Sequence, residues 1–230
     1  MRQSNHGFAS RALFALCLAL IAPVAFAAPQ APSLDTLPPT TTANPILVSG
    51  SAEPGVEVII AVNGEVRRTV LADSGTGAFA TNVPLYDGVN AIHAVAVAGG
   101  EASPDSNTVQ TDYTNNLPRN WGGTLAADTV WTAGDGTPYS ITSNFTVPVG
   151  VRLWLQPGVA VRFPGSYAFT VSGELEILGT TGQQVTFASS QASPAAGQWP
   201  GVVVSVSAQD VRIEHARIEH ATRGIDFNGG

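Results

Sequence analysis

The run Val147–Phe163, VPVGVRLWLQPGVAVRF, restricts what this chain can fold into more than any other stretch. Val151, Leu153 and Leu155 point one way and Arg152 and Trp154 the other, as alternation along a strand requires. Pro157-Gly158 turns the chain, and Val159, Val161 and Phe163 resume the pattern with Arg162 facing out. Short strands at even spacing, divided by Pro/Gly turns, predict a coil that repeats along an axis.

The same rhythm continues to the end of the chain. Ile141, Val171, Ile177, Phe187, Val204, Ile213, Ile218 and Phe227 each sit in an apolar-x-apolar pair or triplet. Each short strand can pair with its equivalent one coil on, about 4.8 Å along the axis. Inward residues then stack in dry aliphatic ladders. Composition agrees: 24 Gly and 16 Pro against 12% charged residues favour short strands over long helices.

Met1 to Ala27 reads as a secretory signal. Arg2 and Arg11 precede the apolar run ALFALCLALIA, and Ala25-Phe26-Ala27 offers small residues at the cleavage positions. The apolar run is too short for a membrane span, so the expected product is exported without one: secreted, periplasmic or at the cell surface. Cys17 is the one cysteine and lies in this leader, so export brings no disulfide. All ten basic residues are Arg. Eight of them remain beyond the leader against 17 acids, a balance of −9. An acidic chain without a basic run is a poor candidate for nucleic acid or anionic membrane, so neither is expected as a partner.

Residues 28–43, APQAPSLDTLPPTTTA, read as an extended Pro/Thr-rich linker. Residues 44–114 read as a β-sandwich. Val56, Val58, Ile60 and Val62 alternate with Glu57, Ile59 and Ala61, and Asn63-Gly64 is a hairpin signal. Glu65–Leu71, Gly77–Leu85, Asn90–Ala98 and Val109–Tyr113 supply the remaining strands. The Val56–Val62 face is expected to pack on Ile92, Val95 and Val97 from opposing strands, with alternation turning only one of Ile92 and Val95 inward. Residues 115–120 read as a second linker and 121–230 as the coil.

Two resemblances follow from these residues. GSAEPGVEVIIAVNG, GAFATNVPLYDGVNAI and SNTVQTDY resemble bacterial immunoglobulin-like modules, which serve as spacers or carbohydrate-binding attachments. Trp131, Pro138-Tyr139, the 147–163 run, VSGELEILGT, Val185-Thr186-Phe187 and Trp199-Pro200-Gly201 resemble the first coils of right-handed parallel β-helix proteins of the pectin-lyase-like kind. The fold class expected is therefore all-β, an immunoglobulin-like sandwich followed by a right-handed parallel β-helix that is truncated at its far end. A polysaccharide lyase of that kind would need Asp ligands for calcium and a basic residue to take the proton. Lys is absent, and Arg152 and Arg162 stand without a nearby Asp cluster.

Candidate chemistry is sparse. Glu174 and Glu176 flank Leu175 and share an outward face, the arrangement a glycosidase acid and base would need. The plainer reading, and the favoured one, is a solvated face. IEHARIEHA repeats Glu214-His215 as Glu219-His220, a set that could ligate zinc. Alternation separates each pair, and with Ile213 inward His215 is expected on the core side. Ladder positions are the favoured reading. No cofactor is implied. The function expected is a non-catalytic binding or display protein directed at polysaccharide, cell-surface glycan or the envelope. The alternatives are the N-terminal part of a carbohydrate-active enzyme with catalytic coils further on, and a spacer. An open last coil is expected to promote self-association.

Overall fold

A computed structural model describes residues 27–227. The expected leader falls almost wholly outside them. The described residues form strands, turns and loops with no helix, and so none long and apolar enough to cross a membrane. The fold is all-β.

The first half holds nine strands: β1 (Ser33–Leu34), β2 (Thr40–Thr41), β3 (Ile46–Ser51), β4 (Glu57–Val62), β5 (Glu65–Leu71), β6 (Ala78–Val83), β7 (Gly88–Ala98), β8 (Glu101–Ala102) and β9 (Val109–Tyr113). They make two sheets, β1-β3-β6 and β2-β9-β7-β4-β5, with β8 on the flank of β7. The sheets share one core, in which Val48, Phe79 and Val83 face Val58, Ile60 and Ile92. Asn63 and Gly64, both at positive φ (52° and 84°), close the β4–β5 hairpin as the Asn-Gly pair predicts. At the Asp87-Gly88 turn the buried Asn90 side chain accepts from the Tyr86 amide and donates to the Tyr86 and Gly88 carbonyls.

Two expectations are corrected here. Residues 28–43 are not a free linker. Leu34 is buried in the sandwich core, β1 pairs with β3, and β2 adds to β9. Asn107 fastens the segment by a reciprocal pair of bonds with the Leu34 backbone, 2.8 and 3.0 Å. One buried leucine and two satisfied backbone groups outweigh the extended preference of the prolines. Second, β4 and β7 are neighbours in one sheet, so Val58 and Ile60 lie beside Ile92, Ala94 and Ala96 rather than opposite them. Val95 and Val97 are on the other phase of the strand, away from the core.

The second half holds twelve strands: β10 (Asn120–Thr124), β11 (Thr129–Trp131), β12 (Tyr139–Val147), β13 (Arg152–Leu155), β14 (Ala160–Phe163), β15 (Phe169–Val171), β16 (Glu174–Leu178), β17 (Val185–Ser189), β18 (Val202–Val204), β19 (Val211–Glu214), β20 (Ala216–Ile218) and β21 (Ile225–Asp226). Every pairing among them is parallel, and all keep one register except β10–β12, which shifts between Trp121 and Gly123. β11-β13-β16-β19 form one sheet; the others form a second, larger one.

Thr129, Leu153, Leu175 and Val211 stack in one column, at steps of 24, 22 and 36 residues. Val161, Phe187 and Ile218 stack in another, at steps of 26 and 31. The additional residues of the longer steps leave as exposed loops, such as 190–197, while the ladder keeps its register. Inside, Trp131 stacks on Tyr139 (4.6 Å between ring centroids) and Phe163 on Trp199 (3.8 Å). Gly201, at φ 111°, lets one coil lie against the next: a Cβ there would sit 1.8 Å from the Arg223 carbonyl oxygen. Phe227, expected on the ladder, is largely exposed; Ile225 takes the inward place beside Val202.

The expected linker at 115–120 is short and held. Asn115 donates to the Thr132 hydroxyl (2.7 Å) and the Tyr139 hydroxyl (3.0 Å), and Asn120 already belongs to β10.

Two predictions concern the sandwich. In urea unfolding, fragment 28–114 is expected to be about 2 kcal/mol more stable than fragment 44–114, the scale of burying one leucine. Equal midpoints would show that β1 contributes nothing. Burial pushes the Tyr113 hydroxyl up to about 12 from its ordinary 10.0, against a smaller opposing effect of the Asn44 side chain. The folded chain thus keeps a proton that the unfolded chain has lost, and stability from this group falls as pH rises from about 10 to about 12. Tyr113→Phe should flatten that part of the stability-against-pH curve, measured by denaturant melts at stepped pH.

Candidate functional site

The outward face of β13-β16-β19 is not solvated along its length. Register places Val130, Trp154, Glu176 and Arg212 in one outward column, with Arg152 and Glu174 beside it. The edge strand β5 of the sandwich lies over the middle of this face. Trp154 is completely buried, in a small cluster with Val130 and Leu178.

Arg68 of β5 makes the join. Its guanidinium lies 4.8 Å from the Trp154 ring centroid, and its Nη1 is 3.4 Å from Glu176 Oε1. Its Nε donates to the Asn82 carbonyl oxygen at 3.0 Å, which ties it to β6. From the other side Arg152 bonds both Glu174 and Glu176 and stands 3.3 Å from Asp210. Its ring contact with Trp154 is 5.5 Å. Glu176 is therefore a shared acceptor for one arginine from each half, with its side chain 9% exposed.

The electrostatics follow from burial and neighbours. Burial lowers the Arg68 pKa, and the Arg152 charge lowers it further against the pull of Glu176. Burial also acts to lower Arg152, but the carboxylates of Glu176 and Glu174 more than reverse this, and its pKa is raised. Arg67, next in the strand, is lowered chiefly by burial. Its side chain is 4% exposed, pairs with Glu65 at 2.8 Å and lies 4.5 Å from the Tyr86 ring centroid.

The sequence candidates sort plainly against this geometry. Glu174 and Glu176 do share an outward face, but it is not a solvated one, and both are held by Arg152. Arg152 engages both carboxylates and Arg68 also engages Glu176, so their oxygens are spent as ion-pair acceptors. Glu214 is bound by Arg212 (2.8 Å) and Glu219 by Arg217 (2.5 Å). His215 and His220 take positive φ, 47° and 63°, at the ends of their strands. That reverses alternation at the corner, so His215 is exposed and not on the Ile213 side as expected. Among the described residues no group of three or more His, Cys, Asp or Glu is placed to hold a metal ion.

Arg67, Arg68, Trp154 and Arg212 were not singled out as site residues by the sequence pattern. One signal was available: a large aromatic on the outward phase of a strand, between Arg152 and Gln156, implies a covered outer face. Arg67-Arg68 is also the only adjacent arginine pair in the chain.

Above the join, the seam opens into a cleft of about 350 Å³ that Arg67, Glu176, Thr180, Arg212 and His215 help to line. A second cleft of about 320 Å³, below it, is bordered by Arg67, Arg68, Arg152 and Asp210.

No family model matches the chain, and no curated protein matches its sequence. Among solved structures, a biofilm associated protein, BSP domain, is similar at 20% identity with a TM-score of 0.32, over 39% of this chain. The chain spans about 15% of that protein's length.

Removing the shared acceptor leaves two arginines facing each other under cover. Glu176→Gln is expected to cost about 2–4 kcal/mol, near the range for breaking a buried pair. Glu174→Gln, more exposed and with one arginine partner, should cost about 1 kcal/mol. Urea melts of both variants check the order; an equal loss would count against Glu176 as the centre of the join.

Proposed function

We propose that the chain is an exported, non-catalytic display or binding module, in which an immunoglobulin-like sandwich is fixed to the side of a right-handed parallel β-helix. The observation that carries this reading is the join at Glu176. The carboxylates best spaced for acid–base chemistry are bound to arginines, and their role is to hold two halves together. A jointed enzyme cleft needs groups free to exchange protons with substrate. A display unit needs a fixed orientation between its parts, which a desolvated pair with an aromatic face supplies.

Parallel in-register pairing at steps near 24 residues supports the β-helix part, and two sheets around one core support the sandwich part. The natural partner is a surface glycan or the cell envelope, in keeping with the leader-like N-terminus and the acidic balance. This partner is inferred from architecture; Trp131, Trp154 and Trp199 are buried and Trp121 is half-buried.

Backbone ¹⁵N relaxation tests the rigid-unit part. Residues of both halves are expected to report one rotational correlation time, and Arg68→Ala should separate them. A glycan array and polysaccharide digests test the rest. Binding without release of reducing ends is expected. Turnover of any polysaccharide that Glu174→Gln or Glu176→Gln abolishes would overturn the reading.

A further inference from the structure

The upper cleft of the seam holds an imbalance that the join does not explain. Its carboxylates are engaged. Glu65 accepts from Arg67 and from the Tyr86 hydroxyl (2.6 Å), Glu176 from Arg68 and Arg152, and Glu214 from both Nε and Nη2 of Arg212. Its cations are not used up. A guanidinium carries five N–H donors. Among the described residues Arg67 makes one hydrogen bond, through Nη2, and its Nε is buried with no acceptor. A buried donor left unpaired is costly, and native structures rarely keep one without reason. Arg212 reaches into the same cleft from β19, close enough that its charge lowers the Arg67 pKa, though burial lowers it more. Two arginines, one from each half and each already paired to one carboxylate (Glu65, Glu214), thus border one space of about 350 Å³ with guanidinium donors to spare. That volume lies within the range of small-ligand sites.

We propose that this cleft binds a small ligand through an oxyanion, a carboxylate or sulfate group, held between Arg67 and Arg212. Such a group accepts from the spare donors of both guanidiniums, as planar Arg forks allow for an oxyanion with two or more oxygens. Thr180 and Thr181 line the same cleft and can hydrogen-bond the body of the ligand. The site belongs to neither half alone, since β5 brings Arg67 and β19 brings Arg212. Oxyanion binding here is independent of whether the chain serves as a display unit: a failed titration leaves the rigid-unit test untouched, and the converse holds.

The full chain is titrated separately with sodium sulfate and with sodium acetate, at constant ionic strength made up with sodium chloride. The Arg Nε–H resonances are followed by NMR. Saturable, concerted shifts of Arg67 and Arg212 are expected in at least one arm, and the arm that responds identifies the group. Arg212→Gln, at an exposed position, should weaken that response about tenfold or more, as loss of a charge-assisted bond implies. Arg217→Gln, equally exposed on β20 and not lining the cleft, should leave it unchanged. No saturable shift in either arm, an equal response to chloride alone, or an unchanged affinity in Arg212→Gln would overturn the proposal.

Discussion

A carboxylate taken out of water needs charged or hydrogen-bonding partners, and Glu176 finds them on two distant stretches of the chain. Arg152 lies one coil earlier in the ladder; Arg68 lies 108 residues back, in the sandwich. Neither half can satisfy the group in this way alone. The ladder places Trp154 and Glu176 in adjacent coils of one column, and only the covering strand β5 turns that column from a water-facing surface into an interior. The relation between the halves therefore depends on a charge that would be indifferent to it in water.

Much of the architecture was legible because it follows from local rules. Alternation through Leu153, Leu155, Val161 and Phe163, with Pro157-Gly158 between, is enough to predict short stacked strands. Asn63-Gly64 places its hairpin, and the Val58/Ile60/Val62 phase identifies the buried side of β4. The errors arose where a long-range partner decides. Nothing near Leu34 announces that Asn107 will bind its backbone, 73 residues away. Nothing near Ile92 says whether the Val58–Val62 strand is its neighbour in one sheet or lies in the opposing sheet. The phase at His215 failed for a different reason: a positive φ at the corner ends the alternation that the reading assumed would continue.

The site was half visible. Glu174 and Glu176 were found by spacing, and their common face was right. Their environment was not, because solvent exposure of an outer face is a property of what lies above it. Arg68 covers that face from outside the repeating segment, so no periodicity within 121–230 could reveal it. Trp154 carried the available hint, being too large and apolar for an outward strand position open to water.

The unequal steps of the ladder have an evolutionary reading. A column that advances by 22 residues at one coil and 36 at the next keeps its pairing, because the surplus leaves through loops such as 190–197. Such a scaffold separates two kinds of change. Substitutions inside a column must respect neighbours above and below, while loop length can drift freely between coils. Lineages of this chain should therefore differ most in the size and chemistry of what projects from the coil, and least in the spacing of the rungs that carry it.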